Sequence, residues 1–228
     1  MRTHLARTAI AATALAFGSP AVHAQNNPCA EGAGGGCTTA ALSQPIELSK
    51  PEPVRSSAYI SQIGEANSAT ITQDSTRQAA SILQDGTRQA ASAIQSGDGT
   101  AYLEIDQAGL LNTIVVRQSA DVGGGNIAVA AQEGQANAIL LDQSATAGSL
   151  NTAMLAQQGI GNRMQLDQAG SDNRAELLQL GDSNTMTATQ NGSANQLRWV
   201  QNGSGLSDLQ IVQSGNQAMS ITQTNGGT

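Results

Sequence analysis

The chain has 228 residues, a net charge of −7, 12% charged side chains and only 2% aromatic ones. Ordinary domains hold roughly 25% charged residues, so this composition excludes a thick core of large side chains. It leaves disorder or a thin core repeated many times. The acidic balance argues against nucleic acid and anionic membrane surfaces as partners.

Arg2 and Arg7 form a positive start, Ala9 to Phe17 is a short apolar stretch, and Val22-His23-Ala24 ends it with small residues. Residues 1–24 are therefore predicted to be a secretory signal peptide. No later stretch approaches the ~20 apolar residues of a membrane span, and no cysteine marks a lipoprotein site. Cleavage would remove both histidines, His4 and His23, and two of the ten bases. Eight bases would then face seventeen acids, a net charge of −9.

Residues 25–55 contain Pro28, Pro45, Pro51, Pro53 and the run Gly34-Gly35-Gly36. They are predicted to be a flexible leader. The only cysteines, Cys29 and Cys37, lie here. In an oxidising compartment they could close a small loop by a disulfide. A metal or redox role lacks partners, since the pair is not CxxC and the mature chain has no histidine.

From residue 56 to 223 the chain repeats. The register is set by Gln62, Gln73, Gln84, Gln95, Gln107, Gln118, Gln132, Gln143, Gln157, Gln168, Gln179, Gln190, Gln201, Gln213 and Gln223. Their spacings run 11, 11, 11, 12, 11, 14, 11, 14, 11, 11, 11, 11, 12 and 10. Counting back in twos gives Asn67, Ala69, Ile71, Gln73, then Asn112, Ile114, Val116, Gln118, and later Asn195, Leu197, Trp199, Gln201. The two positions before each glutamine are apolar in all fifteen units. The residues between them, such as Ser68, Thr70 and Thr72, are mostly polar. A period of two over seven residues specifies a half-buried strand; a helix needs 3.6. Residues 224–228 form a C-terminal tail.

The turns show a second period. Two residues after each of the first seven odd-numbered units stands a glycine: Gly64, Gly86, Gly109, Gly134, Gly159, Gly181 and Gly203. After even-numbered units the same position holds Ser75, Gly97, Ala120, Ala145, Gly170, Gly192 and Gly215. One turn demands glycine, as a positive φ would; the other accepts side chains. The repeat is thus about 22 residues: strand, glycine turn, strand, looser turn. The long insertions, Ser119 to Gly125 and Ser144 to Leu150, both follow even strands. They are expected on one edge, one rung apart.

Two strands facing each other bury their apolar positions, and stacking rungs at about 4.8 Å completes the backbone hydrogen bonds. The fold class expected is all-β: a cross-β solenoid of about fifteen short strands, two per rung. The glutamines close each strand on the inner face. A column of asparagines opens them: Asn67, Asn112, Asn126, Asn137, Asn151, Asn162, Asn173, Asn184 and Asn195. Gln78 and Gln89 keep an amide at that place, while Ala101 and Ser207 do not, so weaker ladders are expected there. Stacked in register, such amides satisfy one another and penalise register slip.

The pattern Gln62-Ile-Gly64-Glu-Ala-Asn67-Ser-Ala69-Thr-Ile-Thr-Gln73 resembles the curlin repeat of curli fibre subunits, over about residues 56–223. Family members typically have fewer repeats. The leader does not match the glycine- and asparagine-rich targeting segment of the major subunit. The resemblance implies passage through the periplasm of a Gram-negative bacterium and secretion through an outer-membrane pore. It also implies a nucleator subunit as partner, and a homopolymeric amyloid fibre serving biofilm matrix and adhesion. Regular repeats favour the major subunit over the nucleator.

An open solenoid has two bare edges that template another copy unless capped. Fifteen strands also leave a half-rung for the next subunit to complete. Asp74, Arg77, Asp85 and Arg88 in turns, with Glu104 and Asp106 facing outward, resemble gatekeepers against premature assembly; a plain solvated surface explains them equally well. Ile127, Val129 and Ala131, beside Thr152, Met154 and Ala156, form an outward apolar patch suited to lateral bundling; scattered exposed apolar residues explain it at least as well. Catalysis is not expected. Lys50 is the one lysine, no acid pair sits in a pocket-forming context, and neither cofactor nor metal is called for. A monomeric surface-binding solenoid, ice-binding for example, is the rival. Its outward threonines, Thr70 and Thr72 against Thr185, Thr187 and Thr189, fall five rungs apart. No Gly-Gly-x-Gly-x-Asp series indicates calcium.

Overall fold

The structure is a computed structural model that describes residues 55–225. The expected signal peptide, residues 25–54 of the leader, Cys29 and Cys37, and residues 226–228 lie outside the described residues.

In chain order the strands are β1 (Ser57–Glu65), β2 (Ser68–Gln73), β3 (Gln78–Thr87), β4 (Ala90–Ser96), β5 (Thr100–Leu110), β6 (Thr113–Ala120), β7 (Gly125–Gln135) and β8 (Ala138–Ala145). They continue with β9 (Leu150–Ile160), β10 (Arg163–Ser171), β11 (Arg174–Leu180), β12 (Thr185–Ser193), β13 (Gln196–Asn202), β14 (Ile211–Ser214) and β15 (Ala218–Thr224). The eight odd strands form one sheet in the order β1-β3-β5-β7-β9-β11-β13-β15, and the seven even strands form the other. Every neighbouring pair is parallel and aligned glutamine on glutamine. The chain is a two-sheet β-solenoid of about seven turns.

Two apolar positions per strand point between the sheets. From β3 to β13 all 22 of these side chains, from Ala80 to Trp199, belong to one buried cluster. Small and large residues complement each other across a rung: Ala128 and Ala130 on β7 share theirs with Ile139 and Leu141 on β8. Each large side chain fully buried this way contributes about 1.5–3 kcal/mol. At the ends the same positions open to solvent, as with Ile60 (43% exposed) and Met219 (39%).

The seven odd-turn glycines have φ between 104° and 141°. A side chain is barred there for a further reason: a Cβ on Gly134 would run into the carbonyl oxygen of Gly159 one rung on. The same turn holds a second left-handed residue, just before the asparagine position. Ala66, Arg88, Leu111, Ala136 and Ser183 occupy it with φ of 55–58°. An L side chain in that region costs about 1–2 kcal/mol.

The long connections β6–β7 and β8–β9 stack on one edge. The Asp121 and Gly125 N–H groups donate to the Ala145 and Ser149 carbonyls at 3.0 and 2.8 Å.

Two expectations need correction. The apolar alternation places a full strand over Ser207–Gln213, but β14 begins only at Ile211. Trp199 fills the interior opposite, and Leu209 turns out, 48% exposed. The extra residue of this unit forms a bulge, where Asp208 takes the Thr187 N–H (3.0 Å) and hydroxyl (2.7 Å) in place of a strand carbonyl. The outward patch is also narrower than its sequence suggests. Ile127 and Thr152 are buried, next to each other along the odd sheet, and the half-buried Val129 and Met154 remain at its surface.

Candidate self-association edges

Each register glutamine closes its strand on the inner face and points its amide along the stack. In the odd sheet Gln62 donates from Nε2 to Oε1 of Gln84, and the chain of bonds continues through Gln107, Gln132, Gln157, Gln179 and Gln201 to Gln223. In the even sheet it runs from Gln73 through Gln95, Gln118, Gln143, Gln168 and Gln190 to Gln213. All thirteen links span 2.6–3.0 Å and all donate toward the C-terminal end. A second Nε2 hydrogen goes to the opening carbonyl of the preceding strand, as Gln84 to Ser68 (3.2 Å) and Gln179 to Arg163 (3.1 Å). Gln132 and Gln157, whose strands follow the two long connections, lack that second bond. Deep burial of a polar amide is offset when every donor and acceptor is used.

The asparagines work on the backbone. Asn137 Nδ2 donates to the Glu133 carbonyl of its own turn (3.2 Å) and to the Gly159 carbonyl one rung on (2.8 Å), and its Oδ1 accepts the Asn162 N–H at 3.0 Å. Asn112, Asn162 and Asn184 repeat this in the odd turns, and Asn67 does so with the Gln89 N–H. In the even turns Asn151 and Asn173 do likewise; Asn195 bonds amide to amide with Asn173 (2.9 Å), and Asn126 reaches the Ser119 carbonyl (2.7 Å). These side chains therefore staple each turn to the next.

The column is imperfect where its composition changes. At Ala101 the backbone N–H bonds to the Arg77 carbonyl instead (3.1 Å), and at Ser207 the Asn184 Oδ1 receives the Leu206 N–H (3.0 Å). Gln89 Oε1 and Asn126 Oδ1 are buried with no hydrogen-bond partner among the described residues.

The outer faces carry the charges. Glu176–Arg198 and Arg117–Asp142 pair at 3.3 Å. Flanking strands desolvate Asp106 and Asp167, and the neighbouring Asp85 and Asp142 add repulsion; both carboxyls are held above the ordinary range. Tyr102 is raised by the same desolvation and by Glu104. Asp74, Arg77 and Arg88 sit exposed in turns, whereas Asp85, expected in a turn, lies exposed within β3 in register with Ile63 and Ala108.

The stack ends in two unlike faces. At the first, β1 and β2 pair only with β3 and β4, and Gln62 Oε1 and Gln73 Oε1 receive no donor among the described residues. Gln62 Nε2 makes one bond where most register glutamines make two. At the other, β14 and β15 pair only with β12 and β13, and Gln223 Nε2 donates to the Ser207 carbonyl alone (3.0 Å). One face offers amide acceptors at Gln62 and Gln73, and the other a free amide hydrogen at Gln223, while Gln213 Nε2 gives both its hydrogens to the Gln196 (2.9 Å) and Gln217 (3.1 Å) carbonyls; among the described residues each face ends in an unpaired strand edge.

The family model for the curlin associated repeat matches residues 162–192. The chain carries a curlin repeat. The matched stretch takes in β10, β11 and most of β12, with Gln168, Gln179 and Gln190, Asn162, Asn173 and Asn184, and Gly170, Gly181 and Gly192. The same glutamine positions recur on both sides of that match, from β1 to β15, in one continuous stack. No curated protein and no solved structure matches the chain.

Proposed function

We propose that this chain is a structural subunit of an extracellular curli-type amyloid fibre, which grows by strand addition at its two ends. The carrying observation is the pair of unlike end faces: unpaired parallel strands with amide acceptors at β1 and β2, and with a free amide donor on β15 beside β14. A heterologous contact of this kind propagates without closing. The curlin repeat supports the reading, and with it export behind the N-terminal signal, passage through an outer-membrane pore, a nucleator subunit as partner, and a place in biofilm matrix and adhesion. The regular glutamine column up to Gln223 favours the major fibre subunit.

The test is assembly from denaturant, with the full chain and with residues 25–228, followed by an amyloid dye and fibre diffraction. Fibres with a 4.7–4.8 Å meridional reflection are expected. A chain that stays monomeric and gives no such reflection overturns the fibre reading and leaves the solenoid fold untouched.

A further inference from the structure

The described strands number fifteen, eight in one sheet and seven in the other. That odd number constrains how a second copy can sit on the first. Suppose the next copy stacks in phase, its β1 on β15. The odd sheet continues, but the even sheet lacks a strand: β2 of the next copy and β14 stand two strand spacings apart, about 9.6 Å. The backbone edge of β14 stays unpaired. The Gln213 amide never meets Gln73 of the next copy.

A rotation of about 180° around the stack axis removes the gap. The two sheets are built alike: two inward apolar positions, a closing glutamine and a turn that begins two residues later. Under this rotation β1 of the next copy lies on β14, and its β2 lies on β15. The solenoid path then runs β14, β15, β1, β2 without a missing strand. We infer that the binding partner of each end face is a second copy of this chain turned by about half a revolution, so that its odd strands extend the even sheet. This rests on the fibre reading above.

The unfilled bonds fit this arrangement. Gln223 Nε2, which makes a single bond, faces Oε1 of Gln73 of the next copy. Gln213 faces Oε1 of Gln62 of the next copy and reaches it by exchanging its bond to the Gln217 carbonyl (3.1 Å). Gln62 lacks its second Nε2 bond; in the interior that bond goes to the opening carbonyl of the preceding strand. In the rotated junction the preceding strand is β15, and the carbonyl in that position belongs to Ala218. In the in-phase junction no strand occupies that place. Inside, Ile211 meets Ile60 and Ile221 meets Ile71 of the next copy, covering apolar side chains that the isolated stack leaves partly open. At the corner, Gly215 (φ 74°) has open space beside its Cβ direction and lies under Gly64 of the next copy. A head-to-head junction fails because it sets donor ends against donor ends.

The test uses cysteine pairs on the outer face, in the full chain with Cys29→Ser and Cys37→Ser. Ser220, Thr70 and Tyr59 are exposed and hold the same outward position, three residues before the register glutamine, Ser220 and Tyr59 on the odd sheet and Thr70 on the even sheet. Adjacent strands place Cα atoms about 4.8 Å apart, within disulfide range. Chains with Ser220→Cys are co-assembled with equal amounts of chains with Thr70→Cys, or with Tyr59→Cys, and oxidised. The rotated junction predicts a disulfide-linked dimer with Thr70→Cys and none with Tyr59→Cys. Helical reconstruction of unmodified fibres is expected to show about 180° of rotation, plus sheet twist, per subunit rise of about 36 Å. Crosslinking through Tyr59→Cys, crosslinking of neither pair within fibres, Ser220→Cys self-dimers, or a rotation near zero each overturns the junction. Absence of fibres and of the 4.7–4.8 Å reflection is a separate result; it overturns the fibre reading and this junction with it.

Discussion

Replacing Gln143 by leucine tests what an interior amide contributes. Gln143 accepts from Gln118 (2.9 Å) and donates to Gln168 (2.7 Å) and to the Ile127 carbonyl (3.3 Å), all in buried surroundings. Leucine has nearly the same volume, so the cavity term is small. It leaves two buried groups without a partner: one Nε2 hydrogen of Gln118 and Oε1 of Gln168. At about 1–2 kcal/mol for each orphaned group, the loss is about 2–4 kcal/mol. Gln62→Leu, at the end of the other column, orphans only Gln84 Oε1 and is expected to cost about 1 kcal/mol. The measurement is the urea midpoint by far-ultraviolet circular dichroism, on dilute chain shown to be monomeric by sedimentation. With a slope of about 1–3 kcal/mol per molar urea, the two variants should differ by about 0.5 M or more. Variants that agree within about 0.5 kcal/mol would refute the view that stacked amides are mutually dependent.

Gly134→Ala combines a φ of 114° with a collision at the Gly159 carbonyl, so a loss above about 3 kcal/mol is expected. Gly148→Ala, at φ 73° with nothing within 4 Å of its Cβ, should cost only about 1 kcal/mol by the same urea measurement. Leu111→Gly relieves a left-handed leucine (φ 58°) and is expected to raise the midpoint by about 0.5–1 kcal/mol of stability, after the flexibility glycine adds to the unfolded chain. For Asp106 and Asp167 the folded state holds its protons above the ordinary carboxylate value of 3.8. Stability should therefore rise slightly as pH falls through their raised values toward 3.8, and fall again as pH rises. Asp106→Asn with Asp167→Asn should flatten that slope in thermal melts between pH 7 and 4, and an unchanged slope would remove these two groups as its source.

The fold was legible because its physics is local and repeated. Alternation of two, glutamines eleven apart and a glycine after every second strand specify strand, rung and sheet order before any packing is considered. The left-handed position before most of the column amides was not legible: Ala66, Arg88 and Leu111 carry no glycine signal, and only the neighbouring rungs hold them there. The asparagine bonds were hidden for a related reason. A periodic amide can stack on its own kind or on backbone, and the choice depends on where the turn leaves its carbonyls, as Asn137 shows with Gly159. The truncation of β14 escaped the pattern because Leu209 and Ile211 alternate like any other pair. In its place Asp208, not a strand carbonyl, takes the Thr187 N–H, which the alternation of apolar residues does not announce.

The two edges of the solenoid differ in what they allow. The odd-turn edge keeps one length through six consecutive connections, its glycines closed against the carbonyls of the next rung. The even-turn edge absorbs connections longer by one and by three residues, and at its most open points Val122 is exposed and Gly148 has free space. A foreign peptide spliced between Val122 and Gly123 would thus be displayed from the side of the stack, leaving strand pairing along its length intact. The same peptide spliced beside Gly134 would pry neighbouring rungs apart.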